Sequence, residues 1–370
     1  MKKKKSNEFW YAISDLGNGG QERQLYYLIT MFIKYGIFPT VVIWNTNIND
    51  KYYSLFKDTG VNIIEFMPSE SNFKKIVKLR KYLSSRKPTL LHSYTFSLNF
   101  LIWLCCVGSK TVPIGCLRSS YIYLYNEIGK LRSVLSGVFP RNLISNNQIG
   151  ANELQKKLPF TKNKKIFIIH NAINLHSFEF KVSNKTTSYL NTVSIGRLSE
   201  EKRIDWLIQL IAAIKSYNIK INHRHAGDGY LKEFLINMTK NLDIQDEFKF
   251  VGNIDDINAF ILSSDILIHS SSSEGSPNVV MESMASGKPV FSTDCGDVGT
   301  IIDHGINGWV TNSKNIEDFI DNFKNFILES DLKNLGIAAR CKIEDNFSIE
   351  AHYQNVLTAY HQITKGGNYE

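Results

Sequence analysis

The sequence predicts an α/β protein made of two doubly wound, Rossmann-like domains facing across a cleft, and three observations carry that prediction. Short β-branched or aromatic runs alternate twice with longer segments of helical period, a polar stretch at 181–188 separates the two series, and the charge balance changes sign between them. With 370 residues, 43% of them apolar and 21% charged, the chain has room for two domains of ordinary size.

The first series opens with a strand at 9–14, a helix at 21–35 ended by Gly36, and a second strand at 38–44. Further strands are expected at 61–66, 89–92, 112–116, 142–145 and 166–169, with helices near 72–85, 97–107 and 148–158. The second series places strands at 191–195, 220–225, 248–251, 265–269 and 289–292, separated by helices near 203–217, 230–241, 255–263 and 277–286. Helical segments near 314–328, 331–345 and 349–363 close the chain. Strand and helix in alternation mean parallel sheets covered by helices, with the domains divided at about 180/181 and the second running to 348. Ligands of such sheets bind on the loops that follow strands.

Composition excludes several classes. The longest apolar run, 98–107, is about half of what a membrane-spanning helix needs. The five cysteines are odd in number and scattered, without metal-site or disulfide spacing, which fits a reducing compartment. The start Met-Lys-Lys-Lys-Lys-Ser is basic, but no apolar signal segment follows it, so a cytoplasmic protein is expected. Residues 1–170 carry 25 Lys or Arg against 9 Asp or Glu, whereas residues 171–370 carry 18 against 26. The first domain is therefore expected to face something anionic. The segment 73–83 sets five cations beside apolar residues at helical spacing. It reads equally as an interfacial helix on the inner face of the plasma membrane or as a surface helix packing Ile76, Leu79 and Leu83 inward.

Four loops bear chemistry. Gly17, Gly19 and Gly20 precede the helix at 21–35, where backbone N–H groups favour an anion. The loop lacks both the Gly-x-Gly-x-x-Gly pattern with its acidic ribose partner and a Gly-Lys-Ser/Thr phosphate loop. After the first strand of the second domain, Gly196-Arg197-Leu198 and Lys202 offer a guanidinium and an ammonium, a pair suited to a diphosphate. Gly227-Asp228-Gly229 forms another strand-to-helix turn. The segment 270–282 combines a strand end, Glu274, a turn at Gly275, Ser276 as the expected N-cap, Pro277 at the first helical position and Glu282 on the helix. Amides near Asn278, Val279 and Val280 suit an anion, and the two carboxylates suit sugar or ribose hydroxyls. A glycosidase pair or a metal site with Asp265 and Asp294 fits poorly, because no Asp-x-Asp cluster accompanies these phosphate-type loops.

Taken in order, these segments resemble the family-4 glycosyltransferases, retaining enzymes of the GT-B fold. Gly19-Gly20-Gln21-Glu22-Arg23 is similar to the family's Gly-Gly-x-Glu-Arg, and Asn171-Ala172-Ile173-Asn174 to its Asn-Gly-Ile/Val-Asp. Gly196-Arg197-Leu198 with Lys202, Gly227-Asp228-Gly229, and Glu274 with Glu282 complete the likeness over nearly the whole chain. The resemblance implies that Arg197 and Lys202 hold the donor diphosphate, that Glu274 contacts the sugar and Glu282 the ribose, and that amides after Gly275 touch phosphate. It implies catalysis without a metal or other cofactor, and a last helix at about 349–365 crossing back onto the first domain. Three features differ from the family pattern: His92-Ser93-Tyr94 has Tyr94 where many members carry a second histidine, Thr300 stands where many have Glu, and Ala172 and Asn174 replace the Gly and Asp of the Asn-Gly-Ile/Val-Asp motif. His92 and Tyr94 are the acceptor-side candidates.

The expected reaction moves a sugar from a nucleotide-diphosphate donor to a hydroxyl of a glycan or lipid-linked acceptor, in a bacterial surface polysaccharide or related pathway. Arg197, Lys202 and Glu274 are the catalytic candidates. A sugar-nucleotide epimerase of the same architecture would share the site but need no acceptor. A nucleic-acid binder would explain the basic half, yet no helix-turn-helix, zinc or RNA-binding motif accompanies it.

Overall fold

The computed structural model describes residues 9–182, 189–217 and 219–365. The lysine-rich start and positions 183–188 of the expected linker lie outside the described residues. Two compact units are formed, Met1–Ala172 with Ile349–Glu370, and Ile173–Ser348.

In the first unit, β1 (Phe9–Ile13), β2 (Thr40–Ile43), β3 (Asn62–Glu65), β4 (Leu90–Ser93), β5 (Val112–Leu117), β6 (Asn142–Ser145) and β7 (Lys165–Ile168) pair in the order β3-β2-β1-β4-β5-β6-β7, all in parallel. Parallel neighbours require long crossovers, and these run through α1 (Gly20–Lys34), α2 (Lys51–Asp58), α3 (Asn72–Arg86), α4 (Asn99–Cys106), α5 (Tyr121–Glu127), α6 (Lys130–Val138) and α7 (Gln148–Lys157). β1, β2 and β4 are buried at every position, as expected for strands covered on both faces. The edge strand β3 exposes Asn62 and Glu65.

The second unit pairs β8 (Leu190–Ile195), β9 (Ile221–Ala226), β10 (Phe248–Gly252), β11 (Ile266–His269), β12 (Val290–Thr293) and β13 (Trp309–Thr311) in the order β10-β9-β8-β11-β12-β13, again in parallel. Its helices are α8 (Ile204–Ser216), α9 (Lys232–Asn241), α10 (Ile257–Leu262), α11 (Asn278–Ala285), α12 (Val298–Ile301), α13 (Ile316–Glu329) and α14 (Leu332–Phe347). Side-chain caps fix many starts: Asn147 accepts from Gly150 N at 2.6 Å, Asp256 from Ala259 N at 2.9 Å, and Asn315 from Asp318 N at 2.8 Å.

Strand order reverses between β1 and β4 in one sheet and between β8 and β11 in the other. At such switch points the following loops diverge and leave a crevice beyond the strands' carboxyl ends. The Gly19 loop and Tyr94 follow β1 and β4; the Gly196–Lys202 and Ser270–Glu274 loops follow β8 and β11.

The final helix, α15 (Ile349–Lys365), belongs to the first unit. Its Tyr353, Val356, Ala359, Tyr360 and Ile363 join the core with Leu25, Phe32 and β1. A large apolar side chain gains about 1.5–3 kcal/mol on such burial. The division between the units falls at Ala172/Ile173 rather than at 180/181. The Gln24 side chain ties Ala172 to the first unit, accepting its N–H at 2.7 Å and donating to its carbonyl at 2.9 Å. Ile173 N–H instead donates to Phe347 O, 2.8 Å away, in the second unit.

Several elements go beyond the sequence reading. α2, α5, α6, α12 and the short strand β13 were not expected. α6 buries Ser133, Ser136 and Gly137, so its inner face carries no apolar period to read. A Cβ on Gly137 would stand 2.7 Å from Leu154 Cδ1, so small size itself allows the helices to approach.

Candidate active site

The loop after β8 is shaped by close backbone packing. Gly227 has φ +140°, and a Cβ there would lie 1.9 Å from the Gly196 carbonyl oxygen. A Cβ on Gly229 would likewise meet Leu198 O at 2.4 Å. These two glycines of the Gly-Asp-Gly turn therefore hold the Gly196–Leu198 backbone and bring two post-strand loops together.

A buried hydroxyl–imidazole chain fixes the same loop from beneath. Gly196 O can only accept, so His225 donates to it through Nε2 at 3.1 Å. Its Nδ1 then accepts from Ser194 Oγ at 2.7 Å, which accepts from His223 Nε2 at 2.9 Å, whose Nδ1 accepts from Thr192 Oγ1 at 2.8 Å. Burial pushes both imidazoles down, His225 to about 4, so both are neutral near pH 7.

At the end of β11 the chain builds around Glu274. Its Oε1 receives Lys202 Nζ, His269 Nε2 at 3.0 Å and Ser271 Oγ at 2.8 Å. Among the described residues Oε2 accepts no hydrogen bond and remains available to a ligand. Burial alone would push this carboxyl up, but the hydrogen bonds and charges of His269 and Lys202 prevail and hold it at about 2. The stem of Lys202 lies along Gly196, where a Cβ would be 3.5 Å from Lys202 Cδ. Ser270 Oγ donates to the Lys202 and Arg203 carbonyls at 2.8 and 3.0 Å, and Ser272 N to Glu201 O at 2.8 Å. The two loops are thereby stapled so that the cation and the carboxylate meet.

Arg197 stands apart from this pair. Its side chain is 79% exposed and makes a 3.3 Å contact with Glu201. With Gly196, Gly227, Asp228 and Asn253 it lines a cavity of about 360 Å³. Glu282 is buried on α11, and Gly275 and Val279 are half-buried. From the sequence pattern, Ser276 is expected at the N-cap and Pro277 at the first helical position. The structure corrects both: Pro277 is the cap, its ψ of 77° being non-helical, and α11 begins at Asn278. Ser276 Oγ is buried without a partner, while the Asn278 and Val280 amides donate to Ser276 O and Pro277 O at 2.9 and 3.1 Å.

His269, Ser271 and Asn253 are site residues that sequence reasoning missed. The available signal was a strand ending in an imidazole, Ile266-Leu267-Ile268-His269, at the edge where ligands bind. Asp265 accepts from Asn191 N at 3.0 Å, a structural role between adjacent strands. Among the described residues no three His, Cys, Asp or Glu side chains group as a metal-ligand set.

In the first unit, Gly19 is the extended cap of α1, and Gly20 is its first residue. A Cβ on Gly19 would lie 2.3 Å from Glu22 Oε2. His92 and Tyr94 are fully buried, with His92 Nδ1 2.7 Å from Tyr360 Oη.

Residues 177–341 match the family described as glycosyl transferases group 1. An uncharacterized glycosyltransferase of Haemophilus influenzae is 32% identical over 141 residues, 38% of either chain, so the likeness spans well under two thirds of that relative. A Campylobacter jejuni α-1,4-N-acetyl-D-galactosaminyltransferase, named for an acceptor carried on diphospho-undecaprenol, is 26% identical over 283 residues, covering 74% of this chain and 76% of its own. The HepE protein of Anabaena, solved with UDP, superimposes with a TM-score of 0.78 at 16% identity, over 96% of this chain and 100% of that one. The fold is that of the GT-B glycosyltransferases.

Proposed function

We propose that this protein is a retaining glycosyltransferase that moves a sugar from a nucleotide-diphosphate sugar to a hydroxyl of a glycan or lipid-linked acceptor, without a metal ion. The carrying observation is the ionised Glu274 carboxylate, held through Oε1 by Lys202 and His269 at the switch point of the second sheet, with Oε2 left for a ligand. The group 1 family match, the UDP named with the Anabaena neighbour and the diphospho-linked acceptor named for the Campylobacter relative support the reading.

The difficult step is departure of the nucleotide diphosphate while positive charge grows on the sugar ring. Lys202, already oriented, and the exposed Arg197 would meet the growing phosphate charge. Preorganised donors of this kind contribute about 3–4 kcal/mol each. Glu274 would accept a sugar hydroxyl through Oε2 and so position the anomeric carbon. The Gly196–Leu198 backbone, held by His225 and Gly227, would set the depth at which the diphosphate rests.

The first unit offers a surface for an anionic membrane. α3 exposes Phe73 and Val77 beside Lys74, Arg80 and Lys81, while Leu79 and Leu83 pack inward. Co-sedimentation with anionic but not neutral liposomes at low salt supports docking there, and no sedimentation removes it.

The transfer itself is tested by incubating the protein with UDP-, GDP- and ADP-sugars and candidate acceptors in the presence of a chelator, and reading the product's anomeric configuration by NMR. An α-linked product from an α-linked donor supports the proposal. An inverted product, turnover abolished by the chelator, or conversion of the donor without an acceptor contradicts it.

A further inference from the structure

His269 is the last residue of β11 and is buried. Ile266 and Ile268 pack into the core formed with α8 and α13, and Leu267 into the core formed with α11. The alternation of a strand therefore turns the His269 ring to the α11 side. On the neighbouring strand β12 its register partner is Ser292.

Both ring nitrogens face groups that can only accept. Ser292 Oγ carries a single proton and donates it to the Thr293 carbonyl at 2.8 Å. Toward His269 Nδ1, 2.9 Å away, the serine therefore accepts, so Nδ1 bears a proton. On the other side Nε2 lies 3.0 Å from Glu274 Oε1. That carboxyl is ionised, held at about 2, so Nε2 bears a proton as well. An imidazole with a proton on each nitrogen is a cation. The neutral rings of His223 and His225 differ in one respect: Ser194 gives its proton to His225 Nδ1, not to a carbonyl.

The charged groups around the ring come from three post-strand loops: Lys202 after β8, Glu274 after β11 and Asp294 after β12. α11 adds one carboxyl, Glu282, and burial pushes the nearby Cys295 thiol up to about 12, which keeps it neutral. Lys202 and His269 donate to the same oxygen of Glu274. With a charged ring the three side chains leave one net positive charge, and with a neutral ring they leave none. An anionic diphosphate distinguishes these two states. We propose that His269 is a doubly protonated positioning residue that makes the Lys202–Glu274 site cationic, so that a donor diphosphate binds more weakly once the ring has lost its proton. The ring acts through Glu274 Oε1 and leaves Oε2 for the ligand. Diphosphate affinity therefore falls as pH rises through the titration of the ring. The proton count belongs to the free protein; its effect on donor binding rests on the transferase reading.

The first measurement needs no ligand: nitrogen NMR of the full chain labelled with 15N at histidine, near pH 7. The His269 signals are assigned by their loss in His269→Gln and by their displacement in Ser292→Ala. Two like nitrogen resonances, each bearing a proton, are expected, against the unlike pair of a neutral ring. The second measurement is calorimetric titration with UDP across the pH range in which this ring loses its proton. Wild-type affinity should fall severalfold relative to His269→Gln, which reports any titration of UDP itself. Ser292→Ala removes the acceptor for Nδ1–H and is the milder change. It should move the loss of the proton and the fall in affinity together to lower pH, an effect that a merely structural serine would not have. Unlike nitrogens near pH 7, or an affinity for UDP that ignores the loss of the proton, overturns the proposal. A doubly protonated ring in a chain that binds no UDP contradicts the transferase reading and leaves the proton assignment standing.

Discussion

Nε2 of His269 stands 3.0 Å from Oε1 of Glu274, so an imidazole that ends one strand and a carboxylate from the following loop form one unit with Lys202. The Glu274 carboxyl, ordinarily near 4.5, is held at about 2. A group depressed on folding adds stability above its unfolded value, and that stability is lost as pH falls toward the folded one. Urea unfolding of wild type and Glu274→Gln should therefore differ by up to about 3 kcal/mol near pH 7. The difference should shrink between about pH 4.5 and 2. A difference that stays constant across this range contradicts the assignment.

Lys202 and Arg197 should separate stability from catalysis. Lys202→Met leaves a buried carboxylate without its cation, which costs about 3 kcal/mol of stability in addition to donor affinity. Arg197 is exposed and its ion pair with Glu201 is a surface i,i+4 contact. Arg197→Ala should change stability by less than about 0.5 kcal/mol. Its kcat should nevertheless fall about a hundredfold or more. Steady-state kinetics beside denaturant curves check both.

Gly227→Ala meets two obstacles at once, a φ of +140° and a carbonyl oxygen 1.9 Å from the new Cβ. Either the turn opens or the Gly196 backbone moves. A loss of about 3 kcal/mol or more is expected, with weakened nucleotide binding. A variant with wild-type melting and nucleotide affinity would show that the close approach is not needed.

Ser194→Ala cuts the buried chain at its centre, leaving His223 Nε2 and His225 Nδ1 unpaired. About 2 kcal/mol should be lost in the unfolding free energy. Donor KM should also rise, because the Gly196 carbonyl loses the tautomer that holds it.

The doubly wound architecture was legible because β1, β2 and β11 are near-continuous apolar runs and the strands alternate with segments of helical period. Lys202 and Glu274 were legible as post-strand residues, whereas His269 and Ser271 gain their roles only where β11 sits beside β8 and the loops are stapled. The boundary at Ala172 depends on Gln24, 148 positions away, a relationship no local pattern carries. α6 escaped because it buries serine and glycine.

On the proposed function, the Lys202–Glu274 pair, with Arg197, grips the diphosphate and sugar of an activated donor. Calorimetric titration of wild type, Lys202→Met and Glu274→Gln with UDP and with UDP-sugars, in chelator, tests it most directly. Wild type is expected to bind UDP and at least one UDP-sugar, Lys202→Met to weaken both by about tenfold or more, and Glu274→Gln to weaken the UDP-sugar more than UDP. Equal affinities across the three proteins, or no nucleotide binding by wild type, would contradict it.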